Sequence, residues 1–317
     1  MILVTGATGF VGRPLCARLA RCNALRAVAR EPRGEELPSA VEVVSRSLSC
    51  SEDWSTALSG VNVVVHCAAR VHVMNDKASD PLAEFRRVNV EGTMRLARQA
   101  AELGVKRFIF LSSIKVNGEA TRPAHPFLAD QPAAPEDPYG ISKMEAEEGL
   151  RSLARETGME VVIIRPPLVY GPGVKANFLA MMRWLRHGIP LPLGAVTENR
   201  RSLVALDNLV DLIVICLDHP AAANHTFLVS DAESLSTAAL LRRMGDALGR
   251  PARLIPVPVP LLQMGAALLG KRDMAQRLCG SLEVDISKTR ELLGWLPPIS
   301  VDEGLRRTAE PFMRGQG

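Results

Sequence analysis

The 317-residue chain is 47% hydrophobic and carries a net charge of +4, without a block of Lys and Arg interleaved with aromatic residues. This length suits one large domain or two moderate ones, and the mild charge argues against a nucleic-acid partner. The six cysteines lack C-x-x-C spacing and the six histidines lack the spacing of zinc ligands, so we expect reduced thiols and no metal site.

A glycine-rich turn near the start is the first chemical signal in the chain. Ile2–Val4 predicts a buried strand, the apolar spacing of Arg13–Arg21 predicts a helix, and Thr-Gly-Ala-Thr-Gly-Phe-Val-Gly lies between them at 5–12. In order, its three glycines permit a tight turn, close approach of the backbone to a pyrophosphate, and close packing of helix on strand. The pattern predicts a dinucleotide site at the helix start, with an ordinary glycine-rich turn as the alternative.

Strands and helices alternate through the first half of the chain, which is typical of a parallel sheet built from βαβ units. Further strands are predicted at Arg26–Ala29, Val41–Val44, Val61–His66, Arg107–Ser112 and Glu160–Arg165. Further helices are predicted at Ser51–Leu58, Pro81–Leu103 and Tyr139–Glu156. We therefore expect an α/β, Rossmann-type doubly wound parallel sheet, with ligands bound beyond the carboxyl ends of its strands.

The pattern changes after Arg165, where a Pro-Pro pair precedes a loop. Helices at Phe178–His187 and Asp207–Asp218 and a strand at Phe227–Ser230 are predicted beyond it. We expect a dinucleotide-binding domain over 1–170, rejoined by about 204–231. A smaller, mostly helical substrate-binding domain is expected over 171–203 and 232–317.

One later stretch, Val257–Leu269, is apolar and bounded by prolines. We expect a helix that packs inward, with a surface-seeking helix as the alternative. No run has the length of a membrane span and no cleavable leader is predicted, so the expected compartment is the cytoplasm.

Three side chains form a candidate catalytic set. Tyr139 and Lys143 are four positions apart on a predicted helix and so share one face. An ammonium beside a phenol lowers the phenol pKa, which would make Tyr139 an acid or base near neutrality. Ser113 follows a predicted strand and could donate a hydrogen bond to a carbonyl oxygen. An exposed helix pair is the alternative for Tyr139 and Lys143 alone.

Six segments, in order along the chain, resemble a known family. They are Thr5–Gly12, His66–Ala69, Asn89–Thr93, Leu111–Ser113, Tyr139–Lys143 and Arg165–Gly173. Together they are similar to the extended short-chain dehydrogenases/reductases, the group that includes nucleotide-sugar epimerases and dehydratases. The resemblance covers most of the chain and implies that Ser113, Tyr139 and Lys143 are the catalytic residues. It also implies a homodimer formed through the helices Pro81–Leu103 and Tyr139–Glu156.

The resemblance implies residues for cofactor and substrate as well. Those expected at the cofactor are Gly6, Thr8, Gly9, Phe10, Val11, Gly12, Arg30, Ser47, Leu48, Cys67, Ala68, Ala69, Arg70, Asn89, Tyr139, Lys143, Pro166 and Pro167. Those expected at the substrate are Ser113, Lys115, Asn117, Tyr139, Asn177 and Arg201, the last two at the diphosphate of a nucleotide-sugar.

Arg30 departs from the pattern of NAD-preferring relatives, which carry Asp at the end of the second strand. An Asp would repel a 2′-phosphate whereas an Arg can pair with it, so the residue favours NADP(H), with NAD(H) as the alternative. A second departure is Ser47-Leu48, which stands where many relatives have an Asp-hydrophobic pair at the adenine.

The segment from Ser112 to Glu119 is similar to a bacterial subgroup that reduces UDP-4-keto-6-deoxy-N-acetylhexosamines. This similarity implies a 4-ketoreductase that makes UDP-N-acetylquinovosamine or UDP-N-acetylfucosamine for surface polysaccharide such as O-antigen. The first alternative is a UDP-hexose or UDP-N-acetylhexosamine 4-epimerase that retains NAD. Two others are a reductase of a non-sugar ketone and a non-catalytic dinucleotide-binding protein.

Overall fold

The computed structural model of the protein describes residues 1–30, 37–71 and 80–313, apart from the side chain of residue 273. Within these residues, a seven-stranded parallel sheet has the order β3-β2-β1-β4-β5-β6-β9. Its strands are β1 (Ile2–Thr5), β2 (Leu25–Ala29), β3 (Glu42–Ser45), β4 (Val63–His66), β5 (Arg107–Leu111), β6 (Glu160–Arg165) and β9 (Thr226–Leu228). The expected α/β, doubly wound parallel fold is confirmed.

The central strand β1 sets the register of the sheet, because Ile2 lies opposite Leu25 on one side and Val63 on the other. All four residues of β1 are buried. Such continuous burial requires helices on both faces of the sheet, as parallel sheets need. The first helices are α1 (Gly12–Leu19), α2 (Ser55–Leu58), α3 (Pro81–Phe85), α4 (Thr93–Glu102) and α5 (Pro138–Thr157).

The long helix predicted from residue 81 onward contains an irregularity. A π-helical stretch, Arg86–Gly92, joins α3 to α4. The helix then ends before Gly104, which has a φ of +77° that residues with a Cβ rarely adopt. Such π-helical stretches occur frequently at functional sites.

The second half of the protein is built around a three-stranded sheet with the order β10-β8-β7. Its strands are β7 (Leu168–Tyr170), β8 (Arg201–Ala205) and β10 (Ser234–Leu235). Helices α7 (Leu206–Cys216) and α11 (Ser287–Leu293) pack on the core of the seven-stranded sheet. The helices of this half are α6 (Ala176–Arg186), α8 (Thr237–Ala247), α9 (Val259–Leu268), α10 (Arg272–Cys279) and α12 (Val301–Met313). Phe178, Leu203 and Leu305 are buried in its hydrophobic core. The two domain boundaries expected from the sequence stay a prediction.

The inward packing expected for Val257–Leu269 is wrong for most of its side chains. No residue of α9 is fully buried. Val259 and Leu262 pack against the core of this half, whereas Leu261, Met264 and Leu268 are exposed. The reason is that α9 touches the core along one narrow face and packs against α10 with another, which leaves its remaining apolar side chains in solvent. None of the described helices is long and apolar enough to cross a bilayer.

Candidate active site

The glycine turn after β1 has the geometry expected from its spacing. Gly6 has a φ of +67°, and a Cβ on Gly6 would lie 2.8 Å from the nitrogen of Ala68 in the turn after β4. A Cβ on Gly12 would lie 2.1 Å from the carbonyl oxygen of Gly6. Both distances are prohibitive, so only glycine allows this approach of α1 to the two turns.

The same turn suits a pyrophosphate. Helix α1 begins at Gly12, and no side chain caps its first N–H groups. Such N–H groups and the helix dipole favour a phosphate. Phe10 packs against both the sheet core and the core of the second half, which places the turn where the two halves meet. These residues fit a dinucleotide, and their contact with one stays a prediction.

A buried histidine stabilises the neighbouring turn. The His66 ring lies within hydrogen-bond distance of two hydroxyls, 2.6 Å from Oγ1 of Thr5 and 2.9 Å from Oγ1 of Thr93. It also stacks on Phe110. Burial, with the nearby Lys143 ammonium, lowers the pKa of His66 to about 3. The ring is therefore neutral, and it holds β1, β4 and α4 together beneath the site.

This pKa makes stability sensitive to acid. The ordinary pKa is 6.5, so between about pH 6.5 and pH 3 the unfolded chain binds a proton that the folded protein does not. We expect His66 to lower the free energy of unfolding by about 1.4 kcal/mol for each pH unit below 6.5. Urea unfolding at several pH values should show a shallower decline for His66→Gln. The same replacement at the exposed His125 should leave the decline unchanged, and equal slopes for wild type and His66→Gln would refute this role.

Asn89, in the π-helical stretch, fastens the turn after β4. Its amide oxygen accepts a hydrogen bond from the Arg70 nitrogen at 2.7 Å, and its amide nitrogen donates to the Arg70 carbonyl at 3.0 Å. The same nitrogen donates to Oγ of Ser142 at 3.0 Å. Asn89 therefore links the Ala68–Arg70 turn to helix α5. The sequence predicted a cofactor contact here, and the structure gives the residue this positioning role.

Helix α5 carries two of the three candidate catalytic residues. Asp137 caps it by accepting a hydrogen bond from the Gly140 nitrogen, and Pro138 starts its first turn. The ring of Tyr139 meets the ring of Phe85 edge-on, with centroids 5.9 Å apart. Lys143 is buried, and its Nζ lies 3.9 Å from the centroid of the Phe110 ring.

Ser113 lies just beyond the carboxyl end of β5. It precedes a 3₁₀ turn, Ile114–Val116, and its Oγ accepts a hydrogen bond from the Lys115 nitrogen at 3.3 Å. This turn packs against α5, where a Cβ on Gly140 would lie only 2.9 Å from the Lys115 carbonyl oxygen. The structure thus brings the Ser113 turn against the first turn of α5, and the catalytic role of the three residues stays a prediction.

The expected low pKa of Tyr139 is wrong for this structure. Burial, with the nearby Asp137 carboxylate, raises the pKa of Tyr139 to about 12. Burial also lowers the pKa of Lys143 to about 7, although Glu147 and Cys67 oppose this shift. The sequence could not reveal how far Tyr139 is buried. This burial raises the pKa of the phenol by more than a nearby Lys143 ammonium lowers it. Tyr139 is therefore protonated at neutral pH. Of the two groups, Lys143 is the one that has its pKa close to neutral pH.

A buried charge network beside the candidate catalytic residues was not predicted. Glu147 is fully buried one turn after Lys143. Its carboxylate accepts hydrogen bonds from Nε and Nη2 of Arg165 at 2.9 and 2.5 Å, and from Oγ of Ser112 at 2.5 Å. The network ties α5 to the ends of β5 and β6, directly beside Ser113 and Pro166. The spacing of Tyr139, Lys143 and Glu147 at every fourth position was the available signal.

Two residues expected at the substrate are engaged elsewhere. Asn117 is only 2% exposed, and it donates to the Leu128 carbonyl and accepts from Arg165, so its side chain does not face a ligand. That expectation is wrong, because Asn117 belongs to the buried network. Lys115 forms ion pairs with Glu119 and Asp137, which occupy its ammonium.

Two other expected substrate residues lie on the second half. Asn177 is exposed in the first turn of α6. Arg201 begins β8 and donates through Nη1 to the carbonyl oxygens of Arg277 and Gly280, at 2.8 and 3.3 Å. Burial and the nearby Arg277 lower the pKa of Arg201. Their contact with a diphosphate stays a prediction.

The residues expected around the adenosine end are only partly grouped. Arg30 is exposed just after β2, and its following residues at 31–36 lie outside the described part of the chain. The Ser47 hydroxyl donates a hydrogen bond to Oε2 of Glu52 at 3.1 Å. Leu48 packs so tightly on Gly92 that a Cβ there would lie 3.1 Å from the Leu48 backbone. At the opposite end, Pro166 and Pro167 are buried after β6.

The similarity of this chain to known proteins extends over most of its length. Residues 2–230 match the NAD dependent epimerase/dehydratase family. The chain is 50% identical over 315 residues to a UDP-glucose 4-epimerase of Vibrio cholerae, a match that covers 99% of this chain and 95% of that protein.

Two solved structures resemble the fold. One is a UDP-glucose 4-epimerase from Thermotoga maritima with UDP-glucose, at a TM-score of 0.80 and 23% identity over 100% of this chain and 99% of that one. The other is a short-chain dehydrogenase/reductase superfamily protein from Agrobacterium tumefaciens with bound NAD, at a TM-score of 0.79 and 26% identity over 99% and 98%.

Proposed function

Because the chain belongs to the NAD dependent epimerase/dehydratase family, we propose that it is a UDP-hexose 4-epimerase that works with bound NAD. The observation that carries this proposal is the 50% identity, over 99% of the chain, to the Vibrio cholerae UDP-glucose 4-epimerase. Such similarity over the whole chain includes the predicted substrate side as well as the dinucleotide turn. UDP-glucose is accordingly the first substrate to test.

The 4-ketoreductase expected from the segment after Ser112 is wrong. The finding that overturns it is the match to UDP-glucose 4-epimerases, both the Vibrio cholerae protein and a 29% identical one from Mycolicibacterium smegmatis. The structure supplies a physical reason for the error. Asn117, one residue of that segment, is buried and bonded to Arg165, so its identity reflects packing in the protein interior.

The cofactor proposal is NAD. The Agrobacterium tumefaciens neighbour, at 26% identity, has bound NAD, and the preference for NADP expected from Arg30 has no support. Arg30 is exposed after β2, so its guanidinium is free to lie beside a ribose without pairing to a 2′-phosphate. NAD would lie along the Gly6–Gly12 turn and the Ala68–Arg70 turn. When bound, it would supply a reversible acceptor for the hydride at carbon 4 of the sugar.

The residues of the chain have separate tasks in this proposal. Tyr139, in its phenolate form, would take the proton of the sugar 4-hydroxyl and return it to the same oxygen once carbon 4 has inverted. Lys143 lies four positions later on the same helix, and in its charged form it would favour deprotonation of the phenol. Ser113 donates a hydrogen bond to the oxygen at carbon 4 as the carbonyl forms.

An assay of product and of bound cofactor tests the proposal. The purified protein should convert UDP-glucose to its carbon-4 epimer, UDP-galactose, without added nucleotide. Acid release should yield NAD close to one per chain, because an epimerase regenerates its own cofactor. Chromatography of the sugar nucleotides and of the released cofactor measures both. Turnover that requires added NADPH, with loss of its absorbance, would contradict the proposal.

A further inference from the structure

Helices α9 and α10, with the turn between them, form a helical hairpin that presents uncovered apolar side chains. We propose that this hairpin, residues 259–279, docks on the anionic surface of a lipid bilayer. The proposal concerns a surface outside the candidate active site and does not depend on the epimerase activity.

The outward face of the hairpin is unusually apolar. Leu268 and Leu269 are 83% and 74% exposed, and Leu261 and Met264 are more than half exposed. Leu261, Met264 and Leu268 follow the i, i+3, i+7 spacing, so they form one stripe along α9. Contiguous exposed apolar surface of this kind typically marks an interaction site.

The hairpin is held firmly, so the exposure belongs to the fold. Val259 and Leu262 pack inward from α9, and Leu278 packs inward from α10. The turn is closed by Gly270, at a φ of +66°, and by a hydrogen bond from the Lys271 nitrogen to the Ala266 carbonyl. The outward stripe therefore stands on a rigid support.

The basic residues beside the stripe indicate that the surface it binds is anionic. Lys271 and Arg272 are exposed and follow the two exposed leucines after a single glycine, and Arg277 is exposed on α10. From 250 to 282, Asp273 is the single acidic residue in the sequence against five basic ones, namely Arg250, Arg253, Lys271, Arg272 and Arg277. Apolar side chains next to Lys and Arg match the interface of a membrane that contains anionic lipids.

The same charge disfavours a second copy of this chain as the occupant. A two-fold contact is isologous, so it would bring the basic residues of both hairpins to one interface. Like charges in that position repel each other. An anionic bilayer instead neutralises them while it covers the leucines.

Sedimentation with vesicles tests the docking. The full-length protein is mixed with vesicles of phosphatidylcholine alone, or with about 30% phosphatidylglycerol added, at low salt. We expect binding to the anionic vesicles, little binding to the neutral ones, and loss of binding in about 0.5 M NaCl. Lys271→Gln/Arg272→Gln should lower the partition coefficient about 30-fold, as expected for two basic residues near such a surface.

A second pair of variants separates the apolar contribution. Leu268→Gln/Leu269→Gln should lower binding about tenfold or more, because the leucines no longer enter the acyl boundary. Matched controls at exposed positions elsewhere, Leu103→Gln/Leu296→Gln and Lys106→Gln/Arg242→Gln, should bind like wild type. All variants should keep the turnover of UDP-glucose in solution, so failure of docking and failure of the proposed activity remain distinct.

Three results would overturn the proposal. The first is no binding to anionic vesicles, and the second is binding that none of the hairpin substitutions weakens. The third is a dimer in solution that Leu268→Gln/Leu269→Gln dissociates, which would make the stripe a protein interface.

Discussion

Replacing Tyr139 with phenylalanine is expected to lower the epimerase turnover number by about 10²- to 10⁴-fold, the range for loss of a positioned acid–base group. The change removes one oxygen and keeps the ring that meets Phe85 edge-on. Folding and NAD content should therefore be unchanged. Turnover of UDP-glucose and cofactor content, measured on the same preparation, check both halves of this expectation.

The chain offers a matched control, since it contains only two tyrosines. The hydroxyl of Tyr170 is buried and donates to Oδ2 of Asp231 at 2.7 Å, while its ring stacks on Phe178. Tyr170→Phe removes the same atom but leaves a buried carboxylate with fewer donors, so we expect a loss of about 1–3 kcal/mol in stability and near-normal turnover. If Tyr139→Phe kept turnover within a few-fold of wild type, Tyr139 would not be the acid–base residue.

Replacing Glu147 with glutamine is expected to lower the free energy of unfolding by about 3–5 kcal/mol. The substitution removes the negative charge that compensates the buried guanidinium of Arg165, and the new amide cannot accept on both atoms. The ends of β5 and β6 then lose their common partner in α5. Equilibrium unfolding in urea measures the effect.

The neighbouring residue provides the control for this change. Glu148 is exposed on the same helix, so Glu148→Gln should alter stability by no more than about 0.5 kcal/mol. A loss below about 1 kcal/mol for Glu147→Gln would mean that the network does not stabilise the fold.

The sequence determined the features that depend on local pattern. The strand-turn-helix with glycines at 6, 9 and 12 is predictable because a Cβ at Gly12 has no space beside the Gly6 carbonyl. The alternation of strands and helices predicts the parallel sheet, and the boundaries differ from those observed by a few residues. The four-residue spacing of Tyr139 and Lys143 likewise predicts a shared face of α5 before any coordinate is known.

Tertiary structure decided whatever depends on burial and on distant partners. Desolvation raises the pKa of Tyr139 and lowers that of Lys143, whereas spacing alone suggested that the phenol would be acidic. The family resemblance placed Asn117 at the substrate. Its bond to Arg165 could not be foreseen, because the two residues are 48 positions apart in the sequence.

The exposed face of α9 also could not be predicted from the sequence. An apolar stretch predicts a helix, but only the packing of its neighbours decides which face is covered. Here the core takes Val259 and Leu262 and leaves Leu268 in solvent. The sequence thus determined the fold and the chemical identity of the candidate site. Packing determined the charge states of its side chains and the surface the protein presents, because both depend on which groups lose contact with water.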